Sequence, residues 1–581
     1  MIQDKPSLRL ALPPIWRLRQ PMPEALRRVS TSRVGRTLPP PLQTFLALRD
    51  FSSVEDVDNF LDPKLGKLSD PFLLPNMAAA VERIFEAIDL RQRVVLYGDY
   101  DVDGVTSLAL LQHIFKAYGL NVKTFLPHRM DEGYGLSIEG VRRLLEEESE
   151  SPDLLIAVDC GTSAVNESVA LKEFGIDLII IDHHEASPLG RPVCVALVNP
   201  KQGDDFHYFC TVGLIFKLGH AMMKKRRLAG FDLKDQLDLV ALGTVADIVP
   251  LVGENRILVK RGLEVLENTT RPGLIALKRV AGVGERLGAL NISFRLGPRL
   301  NASGRLDTAR AALDLLLTQD VAEGEDLAEL LDVVNRERQQ VEYQITQEAM
   351  AMLEEQYLPD EHAAVVIGSH GWHPGVVGIV AARIMRLCYR PTFVISFNEE
   401  GIGKGSGRSV EGVSLVRALN DCREFLLNGG GHDMAAGLSV EEHKFHSFRE
   451  RFQIAVAEQI PVEKMRPVVR CDIEVKLREL NLELLDSYQH LEPFGQGNPQ
   501  PLFMARAVRP AYPPQSLKGK HLRLKLAQGE ALREAMFFNA TMEDLPPPPW
   551  DVAFTIDRNF YQHTERLQIH IQQLRSSQDD V

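Results

Sequence analysis

The sequence predicts an α/β protein in which two α/β domains are joined by one long helix and followed by a small all-β domain, a barrel. Three patterns in the 581 residues carry that prediction. From about Phe72, short runs rich in β-branched residues alternate with helical periods: VVLYG then GVTSLALLQHIFKAYG, NVKTFLP, LLIAVD then a helical stretch through Phe174, and DLIIID. Such alternation marks βαβ units and a parallel sheet, whose ligands collect where the strands end. Around residues 320–357 there is neither proline nor any glycine beyond Gly324, and Glu, Gln, Leu and Ala dominate, which predicts one long helix. From about Pro467 the runs HLRLKLA, VAFTID and LQIHIQQL alternate polar with apolar residues between Pro- and Gly-rich turns, as half-buried barrel strands do.

Taken in order, residues 1–69 form a Pro- and Arg-rich lead segment with one helix-like stretch, FSSVEDVDNFLDP. Residues 70–318 form the first α/β domain, residues 319–358 the connecting helix, and residues 359–464 the second α/β domain, where AAVVIG and TFVISF restart the strand–helix alternation. Residues 465–577 form the β domain. A chain this long exceeds one hydrophobic core. Its 45% hydrophobic and 25% charged residues exclude a disordered or fibrous protein. No run approaches the roughly 18 apolar residues of a membrane span, and the start MIQDKPSLRLALPPIWRLRQ lacks the apolar core of a signal peptide, so a cytoplasmic protein with no membrane contact is expected. The six cysteines show no CxxC pairing and are expected as buried thiols. A net charge of -13 means that any binding of a polyanion must rest on local basic grooves or on metal ions.

Three strand ends carry the chemistry. GDYDVDG places Asp99, Asp101 and Asp103 directly after an apolar run; LLIAVDCGT places Asp159 at its tip; DLIIIDHHE places Asp182, His183 and His184 at its tip. A fourth acid, Asp247, interrupts LGTVADIVPL, where a lone Asp would ordinarily be a helix cap. Packing gains nothing from these charges, and they repel one another unless something positive sits between them. Carboxylates with one or two imidazoles suit Mn²⁺, Mg²⁺ or Zn²⁺, with Cys160 the one thiol at a matching position. Two ions about 3.5–4 Å apart, clamping attacking and leaving oxygens, are a recurrent device of phosphoryl transfer.

GDYDVDG, DCG, DHH and GTVADIVP, in this order, resemble the first four motifs of the DHH phosphoesterase superfamily. GPRLNASGR (Gly297–Arg305), GSGRS (Gly405–Ser409) and GGGHDMAAG (Gly429–Gly437) extend the resemblance into the DHH-associated domain. With EPFGQGNPQPLF (Glu492–Phe503), the whole of roughly residues 70–575 is similar to the superfamily's bacterial single-strand-specific exonucleases, which degrade DNA from its 5′ end. The resemblance implies that Asp101, Asp103, Asp159, His183 and Asp247 are metal ligands for two ions of Mn²⁺ or Mg²⁺, with Asp159 bridging them. Asp99 and Asp182 are either further ligands or outer groups that orient the ligands. In catalysis Asp182 and His184 join Asp159, His184 as a contact to the scissile phosphate or, alternatively, as a second imidazole ligand. Val102 stands where the family often has Ala, an apolar exchange that leaves the carboxylates unchanged.

The resemblance further implies a path for the strand. Arg299, Asn301 and Arg305 hold its backbone, the Gly-rich loop GKGSGRS grips the 5′-terminal phosphate through Ser406, Arg408 and Lys404, and His432 faces the cleft. His373 is a further candidate contact, whereas Trp372 is expected to pack at a helix start. The β domain resembles an OB fold that binds single strands through His521, Arg523, Lys525, Phe560 and Tyr561, and its removal is expected to weaken binding more than chemistry. The implied activity is 5′→3′ degradation of single-stranded DNA to mononucleotides in recombination, mismatch repair and fork rescue. A monomer is expected, acting beside a RecQ-type helicase and single-strand-binding protein. Two other readings stand beside it: a small-substrate phosphohydrolase, against which the C-terminal β domain counts, and a non-catalytic DNA-binding relative, against which the intact acids and histidines count.

Overall fold

The computed structural model describes residues 10–127, 135–147, 151–187, 189–284, 286–306, 309–561 and 564–577. Near its start lie strand β1 (Ile15–Leu18) and the helices Pro23–Thr31, Pro40–Ala47 and Val54–Leu61. The last is the helix expected from FSSVEDVDNFLDP; Ser53 and Asp56 cap it reciprocally, each side chain accepting the other's backbone N–H.

The first α/β sheet comprises β2 (Val94–Gly98), β3 (Lys123–Phe125), β4 (Leu154–Val158), β5 (Asp177–Ile181) and β6 (Ala196–Val198). All run parallel, in the order β3-β2-β4-β5-β6. Every residue of β2 and β4 is buried, which is why VVLYG and LLIAV are unbroken apolar runs rather than alternating ones. Leu96, Ile156 and Ile179 face one layer of helices; Val95, Tyr97, Leu155 and Ile180 face the other. The strand order reverses between β2 and β4, and a crevice opens at the carboxyl ends of strands at such a switch point. GDYDVDG and DCG follow these two strands. Gly104 makes the first turn possible, since a Cβ there would lie 2.4 Å from the Asp99 carbonyl oxygen.

The 36-residue helix Val321–Gln356 is capped by Asp320, whose carboxylate accepts the Glu323 N–H at 2.9 Å. At 1.5 Å per residue it is about 54 Å long. Ala328 and Leu331 join the core of the first domain, while Ile345, Ala349 and Leu353 join that of the second. There β7 (Val365–His370), β8 (Thr392–Phe397), β9 (Ile402–Arg408), β10 (Leu426–Gly431) and β11 (Ala435–Glu441) form a mixed sheet, β10-β11-β9-β8-β7, parallel only between β7 and β8.

The C-terminal strands are β12 (Val468–Cys471), β13 (Ile473–Glu474), β14 (Phe503–Pro510), β15 (Gln515–Leu517), β16 (His521–Gln528), β17 (Ala531–Phe538), β18 (Trp550–Tyr561) and β19 (Thr564–Ser576). Five of them close a ring, β14-β18-β19-β17-β16, which the pairing of Arg509 with Ala527 and Pro510 with Leu526 returns to β14. A five-stranded barrel of this kind is the OB architecture. Among the described residues no helix is long and apolar enough to cross a membrane. All six cysteines are free thiols, and only Cys194 is not fully buried.

The lead segment packs against the opposite end of the chain. Val29, Leu42, Phe45, Leu46, Val57 and Leu61 share one core with Ile473, Leu484, Phe503 and Trp550, and β1 pairs in parallel with β12. Removal of residues 465–577 alone therefore strips these buried apolar side chains of their partners. The truncated protein is expected to run as aggregate on size exclusion and to lose its cooperative melt, whereas a monodisperse product would contradict this shared core.

Candidate metal centre and strand-end anchor

Each acid at the strand ends is held by hydrogen bonds, some from its own turn and some from residues distant in sequence. Asp99 is wholly buried after β2, and its Oδ1 accepts the Tyr100 N–H at 2.7 Å. Asp101 caps helix Val102–Ala117 by accepting the Gly104 N–H at 3.0 Å, while Asn301 Oδ1 accepts the Val102 N–H at 3.1 Å and pins the same turn. Asp103 takes the Thr211 and Val212 N–H groups at 2.7 and 2.8 Å, one on each oxygen, at the start of helix Thr211–Lys225. Asp159 follows β4 with φ 63°, a left-handed conformation that Asp and Asn tolerate better than most residues, and its Oδ1 accepts the Thr211 hydroxyl at 2.8 Å. Asp182 Oδ1 accepts the His183 and His184 N–H groups at 2.8 and 3.2 Å and pairs with His184 Nδ1 at 2.7 Å. Asp247 ends helix Leu237–Ala246 at its C-cap position, so it is both a helix terminus and a site residue.

These groups meet at His183. Its Nε2 lies 3.5 Å from Asp247 Oδ2, 3.6 Å from Asp159 Oδ1 and 3.9 Å from Asp103 Oδ2. His183 Nε2 and Asp247 Oδ2 are buried without a hydrogen-bond partner among the described residues. Buried polar atoms are ordinarily paired, and leaving one unsatisfied costs roughly 1–3 kcal/mol. Burial, and then the charges of Asp103, Asp101, Asp99 and Asp247, pushes the Asp159 carboxyl well above the carboxylate range. Burial, followed by Asp103 and Asp101, pushes Asp247 up to about 9; burial, followed by Asp101, pushes Asp103 up to about 7. The cluster is short of positive charge. Burial holds His183 down at about 4, as a neutral imidazole with a lone pair to give. His184 is the opposite case: burial opposes its charge, but the Asp182 hydrogen bond outweighs it and raises the ring to about 9. Burial likewise works against the Asp182 carboxylate, yet the bonds from His184 and Thr162 hold it well below its usual range.

Three sets of donors each lie within 4.8 Å of one another: Asp99, Asp101 and Asp159; Asp159, His183 and His184; and Asp103, Cys210 and Asp247. Asp159 belongs to two of them. Oxygen donors with one or two imidazoles and excess negative charge fit Mn²⁺ or Mg²⁺. The thiol differs from expectation. Cys160 turns into the layer behind the sheet, with its Sγ 4.0 Å from the Tyr97 carbonyl oxygen, and it is Cys210 that sits beside Asp103 and Asp247. Burial, then Asp103, pushes the Cys210 thiol well above its ordinary value.

Three supporting residues had gone unread in the sequence. Thr211 holds both Asp103 and Asp159. Asn199 is buried and donates to the Thr162 hydroxyl at 3.0 Å and the His184 carbonyl at 2.9 Å, fixing the DHH turn. Lys201 pairs with Glu185 at 2.8 Å at the rim. The signal for the last two was VNPK, the tip of β6, a fourth strand of the same sheet.

The connecting motif is engaged internally. Arg299 pairs with Asp332 of the long helix at 2.8 Å and donates to the Arg295 carbonyl at 2.7 Å, and Asn301 is occupied at the GDYDVDG turn. The Arg305 side chain lies outside the described residues, as do those of Phe560 and Tyr561.

GKGSGRS is not a loop but strand β9, near the middle of the second sheet. Its glycines serve packing: a Cβ at Gly403 would meet Ile395 and Phe397 at 2.7 Å, and one at Gly407 would meet Phe393 at 2.5 Å. This corrects their reading as room for a ligand. The alternate residues Ser406 and Arg408 face the other way, under the first turn of helix Val377–Cys388, where a Cβ on Gly378 would be 2.9 Å from Ser406 Oγ and 3.3 Å from Arg408 Nη2. That helix has no side-chain cap, and Arg408 donates to Ser406 Oγ at 3.1 Å. An uncapped helix start above a guanidinium and a hydroxyl is suited to a phosphate. Trp372 is buried and donates to Glu348 at 2.7 Å, as packing at a helix start requires. His432 comes within electrostatic reach of Glu185: the Lys201 hydrogen bond, and more weakly the His432 imidazole, holds that carboxyl below its usual range. On the barrel, Lys525 lies 5.6 Å from the exposed Tyr512 ring, and His521 packs edge-on to the exposed Phe538 at 5.4 Å, whereas Arg523 pairs with Glu534.

The chain matches the DHH family N-terminal domain over residues 93–244, the DHHA1 domain over 360–458 and the RecJ OB domain over 471–573. It is 37% identical over 493 residues to the single-stranded-DNA-specific exonuclease RecJ of Bacillus subtilis, covering 84% of this chain and 61% of that longer relative. It is 34% identical over 533 residues to the enzyme of the same name from Haemophilus influenzae, covering 88% of this chain and 92% of the relative. The crystal structure of RecJ in complex with Mn²⁺ from Thermus thermophilus superposes with a TM-score of 0.82 at 31% identity, over 97% of this chain and 80% of that one. The same protein's complex with Mg²⁺ gives 0.78 at 29% identity, over 97% and 79%.

Proposed function

Because this chain belongs to the RecJ family of single-stranded-DNA-specific exonucleases, metal-dependent nucleases of the DHH group, we propose that it degrades single strands from the 5′ end to mononucleotides. The observation that carries the reading is the meeting of Asp103, Asp159 and Asp247 at a buried His183 nitrogen that has no hydrogen-bond partner among the described residues. Ser406 and Arg408 offer a separate anion-binding site on the neighbouring domain.

In this reading Asp101, Asp103, Asp159, His183 and Asp247 hold two Mn²⁺ or Mg²⁺ ions, with Asp99 in support. Bound there, such ions supply a water acidic enough to attack phosphorus and positive charge for the departing 3′ oxygen. Thr211, by bonding Asp103 and Asp159 together, fixes the two acids relative to each other. Asp182 accepts a hydrogen bond from His184 Nδ1, which orients the ring and leaves its other nitrogen for a phosphate oxygen. Ser406, Arg408 and the helix start at Val377 receive the 5′ phosphate, so their distance from the acids sets the length cut off. His432 approaches the strand from the second domain, and Asn301 acts through the turn it pins. Residues 70–318 thus do chemistry, 359–464 anchor the chain end, and the barrel holds the strand beyond. Metal ligands and anchor come from one chain, which supports a monomer. The family resemblance supports a place in recombination and mismatch repair beside a RecQ-type helicase and single-strand-binding protein.

Single strands labelled at either end, with Mn²⁺, Mg²⁺ or EDTA and matched duplex as control, test the reading. The expected result is metal-dependent release of the 5′ label as mononucleotide from single strands. Earlier release of the 3′ label would overturn the polarity.

A further inference from the structure

The motif EPFGQGNP belongs to the C-terminal domain, yet its contacts run to the first α/β domain just beyond Asp247. The Leu251 N–H donates to the Gln496 carbonyl at 2.8 Å. Gly495 lies against Leu251, where a Cβ would come within 2.7 Å of Cδ1, and Gly497 lies against Pro250 and Val252, at 3.2 and 3.3 Å. The loop itself is held from within and from the first domain. Asn498, wholly buried, donates to the Leu491 and Pro493 carbonyls at 2.8 and 2.6 Å and accepts from Arg49. Arg256, of helix Gly253–Glu267, donates to the His490 and Glu492 carbonyls at 3.1 and 2.9 Å and to the Phe60 carbonyl of the lead segment at 2.8 Å.

What this loop grips is a strained turn. Ile248 has φ 62°, a region that β-branched residues almost never enter, and its side chain is 69% exposed, so its own packing does not hold it there. A strained φ persists where the chain on both sides is over-determined. On one side the Asp247 and Ile248 N–H groups bond back to Gly243 and Val245 at 2.9 and 3.3 Å. On the other stand the Leu251–Gln496 bond and the Asn255 side chain, which donates to the Pro250 carbonyl at 3.1 Å.

We infer that the loop Glu492–Asn498 is a positioning element of the metal centre: by clamping Pro250–Val252 it holds the Ile248 turn and so aims the Asp247 carboxylate at His183. The inference rests on Asp247 being a metal ligand. It makes Gly495 and Gly497 positioning residues for chemistry carried out on another domain, and it ties full metal binding to a seated barrel.

Mn²⁺ binding to the full-length protein, followed by the electron paramagnetic resonance of the free ion, tests this alongside kcat and KM. Gly495→Val, which drives a side chain into Leu251, is expected to weaken Mn²⁺ binding by about 10–100-fold, as loss of an outer-shell support does. The same change is expected to lower kcat while KM for the strand stays within about twofold. Adding Leu251→Ala makes room for the new side chain and restores binding. Gly497→Ala, which intrudes less on Pro250 but places a side chain on a backbone at φ 70° and so strains the loop itself, is measured in parallel and is expected to weaken Mn²⁺ binding in the same direction. A folded Gly495→Val or Gly497→Ala protein with unchanged Mn²⁺ binding, or with only KM raised, overturns the inference. Asp247→Asn separates the premise: if it leaves Mn²⁺ binding intact, the ligand assignment falls and the inference with it.

Discussion

Asp159→Asn is expected to lower kcat by about 10³-fold, beyond the roughly 10–100-fold that loss of an outer-shell group costs. Asn keeps the Thr211 hydrogen bond and tolerates the left-handed backbone, so the loss is one of charge rather than of folding. The variant also bears on why the site exists. Asp159 stands among Asp103, Asp101, Asp99 and Asp247 in a buried cluster, where without a cation it is either repelled or forced to take up a proton, and an uncharged amide avoids both costs. The EDTA-treated variant should therefore melt higher than the EDTA-treated parent, while Mn²⁺ raises the melting point of the parent more than that of the variant. Single-turnover rates and paired melts, with and without Mn²⁺, check both halves. A variant that keeps its turnover, or that melts lower without metal, would refute the metal reading of the carboxylates.

With Ser406 and Arg408 as the proposed 5′-phosphate anchor, 5′-phosphorylated strands are expected to be preferred over 5′-hydroxyl strands, and Arg408→Ala is expected to abolish that preference and to lower kcat/KM on the former by about 10–100-fold. That is the equivalent of the roughly 1.5–3 kcal/mol carried by a hydrogen bond to a charged group. Its guanidinium is braced by Ser406 and the Gly407 carbonyl beneath the start of helix Val377–Cys388, on a different domain from the metal-site acids. Mn²⁺ binding should accordingly be unchanged. Competition between the two kinds of strand measures the effect, and an undiminished preference would remove Arg408 from the anchor.

The acids were legible because they break a rule. Asp99, Asp159 and Asp182 end runs of buried residues where packing gains nothing from charge, and strand ends of one parallel sheet must lie side by side. The long helix was legible for the same local reason, since 36 residues with no proline and a single glycine, Gly324, near the start have one regular conformation to take. GKGSGRS was misread because glycine signals a turn by its backbone freedom, whereas here the missing side chains admit Phe393 and Phe397 of the next strand. Cys210 and Thr211 were not legible at all: they reach Asp103 across more than a hundred residues, at a helix start that ordinary packing would also explain.

By itself, the sequence determined the apolar strands of the first sheet, the long helix, the charge at the strand tips and hence the need for cations, because each depends on neighbours within a few positions along the chain. Only the tertiary structure decided the partners. It set the lead segment in the core of the distant barrel, turned Arg299 to Asp332, aimed Ser406 and Arg408 at a helix start, and laid Gln496 against Leu251 behind Asp247. An apolar period or a lone arginine states that a group must be buried or paired. With which group depends on the closing of long loops, whose entropic cost varies too weakly with length to single out one partner from the sequence.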